Sequence, residues 1–175
     1  MPETLQLLKD QFETPIGEMT IIADDAGNLR AADWTDHTER MLNLLRLHYG
    51  RNGFALTSAH NPGRLTDAMK SYFAGELASL ESLPTQTAGT PFQRDVWRSL
   101  REIPCGTTVS YGELAERIGR PSAVRAVGLA NGANPIGVVV PCHRVIGSNG
   151  SLTGYGGGIE RKRWLLNHEC QSHQW

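Results

Sequence analysis

The sequence predicts an α/β fold with an antiparallel sheet in its amino-terminal half, followed by a helical carboxy-terminal half that contains a helix-turn-helix. Three strand-like runs separated by turns lie within the first 34 residues, in the pattern of a meander. After residue 89, two segments begin with side chains that can cap a helix. The net charge also changes, from −5 over residues 1–87 to +4 over residues 88–175. These observations predict two domains, 1–87 and 88–175.

The composition limits the kind of protein this is. The chain has 175 residues, 39% of them hydrophobic, and a mean hydropathy of −0.34, as in ordinary soluble domains. No apolar run approaches the roughly 20 residues of a membrane span, and the first residues do not form a signal peptide. Three cysteines cannot all pair, and none lies in residues 1–87. Reduced thiols in a cytoplasmic protein are therefore expected, with no metal and no cofactor.

The amino-terminal half predicts three strands and two helices. Residues 5–13, 18–23 and 29–34 are the strands, and the short turns between them favour antiparallel pairing. Apolar residues at helical spacing predict helices over residues 37–49 and 64–74, each followed by a glycine. We find no set of catalytic side chains in this half.

The second half begins with a polar stretch, residues 83–89, which is typical of a linker. Thr90 is expected to cap a helix that has Pro91 at its first position and Gln93 completing a capping box. A second capping box is predicted at Ser110, where another helix starts.

Two short helices, residues 110–118 and 122–131, are predicted to form the helix-turn-helix, with Ser122 capping the second. The second helix consists mostly of small residues, and Arg125 projects from one side of it. The helical wheel places three residues opposite Arg125: Ala123, Val124 and Val127. Such a helix can approach a DNA groove closely. A surface arginine on a close-packed helix explains the pattern equally well.

An apolar run, residues 136–140, is bounded by prolines and predicts a buried strand. The run leads directly into Cys142 and His143, and a thiol beside an imidazole is a candidate nucleophile. Apolar surroundings alone would leave the thiol inert, so a nearby base or positive charge is needed to activate it. The alternative is that Cys142 is one more small buried hydrophobic residue.

The residues Pro141 to Val145 (PCHRV) resemble the active-site signature of the 6-O-alkylguanine-DNA alkyltransferases, also called methylated-DNA–protein-cysteine methyltransferases. The similarity extends over residues 90–169, and the first half is similar to the single-chain bacterial members. The resemblance implies a ribonuclease-H-like α/β domain followed by a winged-helix-like DNA-binding domain.

The resemblance also implies a reaction in which the alkyl group moves from guanine O6 to Cys142. His143 would be the base, acting through a water, because neighbouring residues of an extended chain point to opposite faces. Glu169 would orient and stabilise His143, Asn134 would tie the second helix to the active-site turn, and Tyr111 would donate a hydrogen bond to the leaving base. Because nothing in the sequence could break the resulting thioether, each molecule would act once.

The family's substrate contacts carry over to three further positions, and its DNA contacts carry over to the second helix of the helix-turn-helix and the residues just before it. Tyr155 and Gly156 match the loop that covers the base, and the carbonyl of Val145 would accept the guanine amine. Arg125 matches the arginine that fills the gap left by a flipped base, and the neighbouring positions that would face the minor groove are Ser122, Ala123, Ala126 and Gly128. The implied partner is double-stranded DNA containing 6-O-alkylguanine or 4-O-alkylthymine, bound by a monomer that does not interact with membranes.

The sequence leaves three alternative functions open. A protein that recognises the lesion without repairing it would lack the cysteine, which this chain keeps as Cys142. A helix-turn-helix regulator would be a dimer and would stay functional without the thiol. A hydrolase that uses Cys142, His143 and Glu169 would turn over many times, and it would leave the Arg125 helix unexplained.

Overall fold

The computed structural model describes residues 3–170 and 175. Its contacts divide the chain into two units. Unit 1 contains residues up to 88 together with the segment 135–139, and unit 2 contains residues 89–134 and those from 140 onwards. The segment 135–139, which the sequence assigns to the second domain, therefore makes its contacts within unit 1.

Unit 1 is built on a four-stranded mixed sheet in the order β3-β2-β1-β4. The predicted antiparallel meander is confirmed as β1 (Leu5–Thr14), β2 (Gly17–Asp24) and β3 (Leu29–Trp34). A fourth strand, β4 (Phe54–Ser58), was not predicted and pairs parallel to β1, so the sheet is not purely antiparallel. Parallel pairing requires a long crossover connection, and the helix between β3 and β4 provides it.

One helix of unit 1 covers each face of this sheet. Met41 and Leu45 of α1 (Thr38–Tyr49) pack against Leu7 and its neighbours in a buried cluster. Phe73 of α2 (Leu65–Phe73) makes ring contacts with Phe12, at 6.3 Å between centroids, and also with a tryptophan of β3. Leu7 and Phe12 are separated by an odd number of positions in β1, so their side chains point to opposite faces.

The predicted strand over residues 136–140 is wrong, although its burial is confirmed. Only Ile136 pairs with the sheet, through a single bridge to Ala32. The backbone then folds into a tight turn in which the Val139 N–H donates to the Gly137 carbonyl at 2.8 Å. Val138 at the centre of this turn has φ of +70°, a strained conformation for a β-branched residue. A turn this tight cannot continue a ladder.

The described residues of unit 2 form four α-helices and a small parallel sheet. The helices are α3 (Pro91–Arg101), α4 (Tyr111–Arg117), α5 (Val124–Gly132) and α6 (Ile159–Glu169), and the strands are β5 (Val109–Ser110) and β6 (Val145–Ile146). Within the described part of the unit, α3 packs against both α4 and α5. The buried indole of Trp97 fixes the second contact by donating to the Ala130 carbonyl at 2.8 Å.

Of the three predicted helix caps, the one at Thr90 is confirmed, the one at Ser110 is partly formed, and the one at Ser122 is wrong. The capping box of Thr90 and Gln93 is confirmed in both directions. Ser110 accepts from the Glu113 N–H, but its reciprocal bond joins the two side chains, so the box is only partly formed. Ser122 is not the cap of α5, since the helix starts two residues later, after Ala123 and without a side-chain cap. The Arg120 carbonyl accepts from the Ala123 N–H instead, which extends the turn.

Among the residues that the structure describes, no helix combines the length and the apolar character needed to cross a membrane.

Candidate active site

Cys142 lies in a short turn whose backbone is fixed from two sides. The Cys142 N–H donates to the Val140 carbonyl at 2.8 Å, and Pro141 between them has φ of −82° and ψ of 66°, an inverse γ-turn. The same carbonyl accepts a second hydrogen bond, at 2.8 Å, from the buried amide of Asn134. The structure therefore places Asn134 against the turn. Residues 140–145 form this active-site turn, and Cys142 is partly accessible within it.

His143 follows Cys142 in a 3₁₀ turn and is fully buried. Its Nε2 lies 2.8 Å from Oε2 of Glu169, the last residue of α6. A neutral imidazole that donates from Nε2 to a carboxylate must carry its acceptor lone pair on Nδ1. His143 Nδ1 is buried and has no hydrogen-bond partner within residues 3–170 and 175. The ring is thus oriented so that Nδ1 can take a proton.

Glu169 also binds Arg144, a residue that the sequence did not single out. Arg144 donates from Nε and Nη2 to both carboxylate oxygens, at 2.8 and 3.0 Å, and from Nη1 to the Ile103 carbonyl at 2.8 Å. Burial acts to raise the pKa of Glu169, but the charge of His143 and the hydrogen bonds from His143 and Arg144 outweigh it. The pKa of Glu169 is therefore held well below its usual range. The guanidinium of Arg144 also offsets the unfavourable position of a carboxylate at a helix carboxy terminus.

Lys162 is a second residue missed from the sequence. Its side chain is fully buried, and Nζ donates to the carbonyls of Val145 at 2.6 Å and Thr153 at 2.7 Å. Burial lowers the pKa of Lys162 to about 8, while the charge of Cys142 raises it. The sequence contained a signal: Lys162 and Glu169 lie at the two ends of a buried helical stripe with Leu165 and Leu166 between them.

Tyr111, the first residue of α4, lines a surface pocket of about 380 Å³. Its phenol oxygen accepts a hydrogen bond from the Thr153 hydroxyl at 3.3 Å. The other residues that line the pocket are Val124, Gly128, Gly147 and Thr153. The loop predicted to cover the base is adjacent in sequence, but Tyr155 and Gly156 are not among the lining residues. Tyr155 is half-buried, and Gly156 is exposed.

The exposed side of α5 contains most of the predicted DNA-binding residues. Arg125, Ser122 and Ala126 are exposed, and Ala123 is half-buried. Gly128 faces inward, where a Cβ would lie 3.9 Å from the Tyr111 ring. Two apolar side chains are also accessible. Val124, expected on the buried side, is 40% exposed, and Leu129, one turn after Arg125, is 73% exposed.

Comparisons with known proteins assign both halves of the chain. Residues 7–87 match the model described as "6-O-methylguanine DNA methyltransferase, ribonuclease-like domain". Residues 91–171 match "6-O-methylguanine DNA methyltransferase, DNA binding domain". A Shigella flexneri protein named methylated-DNA–protein-cysteine methyltransferase is 56% identical over 94% of this chain and 96% of its own length.

Solved structures show the same similarity. A Mycobacterium tuberculosis protein named OGT, solved in complex with DNA, superposes with a TM-score of 0.75 at 41% identity, over 94% of this chain and 92% of that one. A Mycobacterium tuberculosis 6-O-methylguanine methyltransferase gives a TM-score of 0.74 at 39% identity, over 93% and 92% of the two chains. The ribonuclease-like and helical DNA-binding domains of the predicted fold are thereby confirmed.

The Glu169 ion pairs predict a specific dependence of stability on pH. In the unfolded chain the carboxyl titrates near about 4.3, whereas its pKa is lower in the folded protein. The ionised carboxylate therefore stabilises the fold above about pH 4.3, and this contribution is lost progressively as the pH falls below that value. Glu169→Gln should lower the free energy of unfolding at pH 7 by roughly 3 kcal/mol, because it leaves the largely buried guanidinium of Arg144 without its carboxylate.

Urea denaturation at pH 7 and at pH 3.5 measures this effect. The difference between wild type and Glu169→Gln should be smaller at the lower pH. Glu160→Gln, on the exposed first turn of the same helix, is the matched control and should show little change. An equal loss for Glu169→Gln at both pH values would contradict the assignment to the charge of Glu169.

Proposed function

We propose, for a chain that belongs to the methylated-DNA–protein-cysteine methyltransferase family, that Cys142 is the residue that receives the alkyl group. The family matches and the 56% identity to a named member establish the class. The protein is a methyltransferase that repairs DNA by direct alkyl transfer to a cysteine. One observation carries the assignment of Cys142: it is partly accessible and is followed in the chain by a fully buried histidine whose Nδ1 is free to accept a proton.

The reaction is an in-line displacement at saturated carbon. The thiol proton of Cys142 passes through a water to His143 Nδ1, and Glu169 stabilises the resulting imidazolium. A sulfur lone pair forms the new bond to the alkyl carbon while the bond from that carbon to guanine O6 breaks. The electron pair stays on the guanine, which then regains the proton that the thiol gave up. The thioether is stable, so each molecule reacts once.

Tyr111 is proposed to stabilise the leaving guanine. The phenol oxygen accepts from Thr153, so the phenol proton remains available to a base in the pocket. The start of α4 also favours a developing negative charge, since helix amino termini carry partial positive charge. The Val145 carbonyl has one lone pair for the guanine amine, because Lys162 occupies the other. Asn134 holds the turn that carries both groups.

The α5 surface is proposed to bind the minor-groove side of duplex DNA. A base inside a duplex cannot reach a recessed thiol, so the nucleotide must be flipped out at a cost of a few kcal/mol. Arg125 would fill the vacated stack. The small residues on and before the helix permit close approach to the sugar edges: Ser122, Ala123, Ala126 and Gly128.

The same proposal extends to the range of alkyl groups and lesions, the cellular location, the oligomeric state and the role of Tyr155. Gly156 has no side chain and is exposed, so we extend the proposal to alkyl groups larger than methyl. We also extend it to 4-O-alkylthymine, whose alkyl carbon is attached to a comparable ring oxygen. We propose that the protein acts in the cytoplasm as a monomer, and that Tyr155 closes over the base once DNA is bound.

Mass spectrometry of the intact protein and of its peptides tests the assignment of Cys142. After mixing with duplex DNA that contains one 6-O-methylguanine, we expect one added methyl group on the peptide that contains Cys142, with the reaction stopping at one equivalent. Cys142→Ser should bind the DNA but remain unmodified. Tight binding of wild type without a mass change would instead favour a lesion-binding protein, and turnover beyond one equivalent would reject single use.

Arg125→Ala should separate base flipping from chemistry. Its rate of repair in duplex DNA should fall by at least tenfold, because the vacated stack loses its substitute, whereas transfer from free 6-O-benzylguanine should stay within about twofold of wild type. Single-turnover rates on both substrates give this comparison. Arg98→Ala, an exposed arginine on α3, serves as the control for lost positive charge. Equal losses on duplex and free base would reject the proposed role.

Leu129 provides an independent test of the α5 surface. If α5 enters the groove, Leu129 is buried against deoxyribose, and Leu129→Ala should weaken duplex binding by about fivefold, equivalent to about 1 kcal/mol. Leu47 of unit 1 is a matched control, since it is 76% exposed compared with 73% for Leu129. Titration of labelled duplex DNA with both variants measures the difference. Unchanged binding for Leu129→Ala would place this face of α5 outside the DNA interface.

A further inference from the structure

Lys162 is a buried charge that takes no part in moving the proton or the alkyl group in the proposed reaction. It is the one lysine in residues 88–175, where the other nine basic side chains are arginines. Lysine is rarely found fully buried unless its charge is satisfied, and Lys162 is completely inaccessible. Two hydrogen bonds from its ammonium group to backbone carbonyls satisfy this buried charge.

The two hydrogen bonds of Lys162 join the two parts of the site. Val145, whose carbonyl accepts at 2.6 Å, ends the turn that carries Cys142. Thr153, whose carbonyl accepts at 2.7 Å, lines the pocket and donates to the Tyr111 phenol. One ammonium group thus connects the backbone that positions the nucleophile with the backbone that positions the leaving-group donor.

The position of Lys162 on α6 relates it to the histidine partner. The buried residues of this helix recur at helical spacing and form one face: Lys162, Leu165, Leu166 and Glu169. The carboxylate at one end of this face contacts His143 and Arg144. The ammonium at the other end donates to the Val145 carbonyl, at the end of the turn that carries Cys142, and the charge of Cys142 raises its pKa. A single helix therefore supplies a charge of opposite sign to each member of the thiol–imidazole pair.

The electrostatic effect between Lys162 and Cys142 must act in both directions. Burial lowers the pKa of Lys162 to about 8, and the negative charge of Cys142 opposes that decrease. By linkage, an anion that stabilises the ammonium is itself stabilised by the ammonium to the same extent. The thiolate is the nucleophilic form of cysteine. The ammonium thus favours the reactive state.

We propose that Lys162 is a positioning residue for alkyl transfer, which holds Val145 and Thr153 in place and stabilises the Cys142 thiolate. The inference rests on the proposed function for its purpose, but its electrostatic part can be tested without DNA. Lysine suits the position better than arginine, because its compact head group makes several hydrogen bonds from one point. Once Cys142 is alkylated, the thioether is neutral and the ammonium loses the opposite charge that stabilised it.

The first experiment measures how readily Cys142 reacts with iodoacetamide as a function of pH. The thiolate forms the new carbon–sulfur bond and iodide leaves, and peptide mass spectrometry distinguishes Cys142 from the other two cysteines. In Lys162→Met we expect the midpoint of the pH profile to rise by about one unit, which makes the reaction about tenfold slower at pH values below the wild-type midpoint. Above both midpoints the rates should agree within about twofold. Lys70→Met, at an exposed position of α2, is the control.

Two outcomes of this experiment would overturn the proposal. A profile for Lys162→Met that coincides with wild type would mean that the ammonium does not stabilise the thiolate. A uniform loss of rate at every pH would mean that Lys162 supports only the local fold. The DNA reaction gives a separate result: if wild type does not transfer a methyl group at all, the proposed function fails while the iodoacetamide comparison still decides the role of Lys162.

A second experiment keeps Lys162 in place and so does not depend on the folding of a variant at that position. The chain contains three lysines, Lys9, Lys70 and Lys162, so protein labelled with ¹³C-lysine should give three assignable Cε signals. In Cys142→Ala the titration midpoint of the Lys162 signal should fall by about one pH unit relative to wild type. The Lys9 and Lys70 signals should not change. An unchanged Lys162 midpoint would show that the two groups are not coupled, and would overturn the proposal.

Discussion

The Glu169 carboxylate imposes the strongest constraint on the site, because two neighbouring side chains of the active-site turn bind it and one of them extends the contact to the segment after α3. It orients His143 and accepts from Nε and Nη2 of Arg144, whose Nη1 donates to the Ile103 carbonyl just after α3. A charge with so little solvent around it is stable only if its partners are fixed. The requirement is mutual, since the buried imidazole needs the carboxylate to select its tautomer. The geometry of the active-site turn therefore follows from satisfying one buried charge.

Lys162 raises the same problem with the opposite sign. Its pKa in the folded protein, about 8, lies below the value of about 10.4 expected for the unfolded chain. At neutral pH, holding the ammonium inside therefore costs stability, and the cost is relieved as the pH rises between those two values. A protein that needed only a stable core would place an apolar residue here. An apolar residue would not supply positive charge to the Cys142 thiol, whereas an ammonium held between two carbonyls does.

The backbone just before Cys142 is strained, and contacts around the site hold it in that conformation. The segment before Cys142 contains two γ-turns in succession, one with φ of +70° at Val138 and one centred on Pro141. Such conformations persist only where the surrounding contacts hold them. Burial of the neighbouring valines and the Asn134 amide on the Val140 carbonyl provide those contacts. The result is a turn in which Cys142 remains accessible while the next residue is completely enclosed.

The sequence by itself determined the features that depend on neighbouring residues. The meander of β1 to β3, the capping box at Thr90 and the Cys142–His143 pair could all be recognised, because turn chemistry, capping and periodicity are local. Tertiary structure decided the rest. The strand β4 exists because its partner lies across a helical crossover, and residues 136–140 form turns because only one of them can pair with Ala32. Helical spacing places Lys162 on the same face of α6 as Leu165 and Leu166, but the two carbonyls that satisfy its charge there are brought to it only by the folded chain.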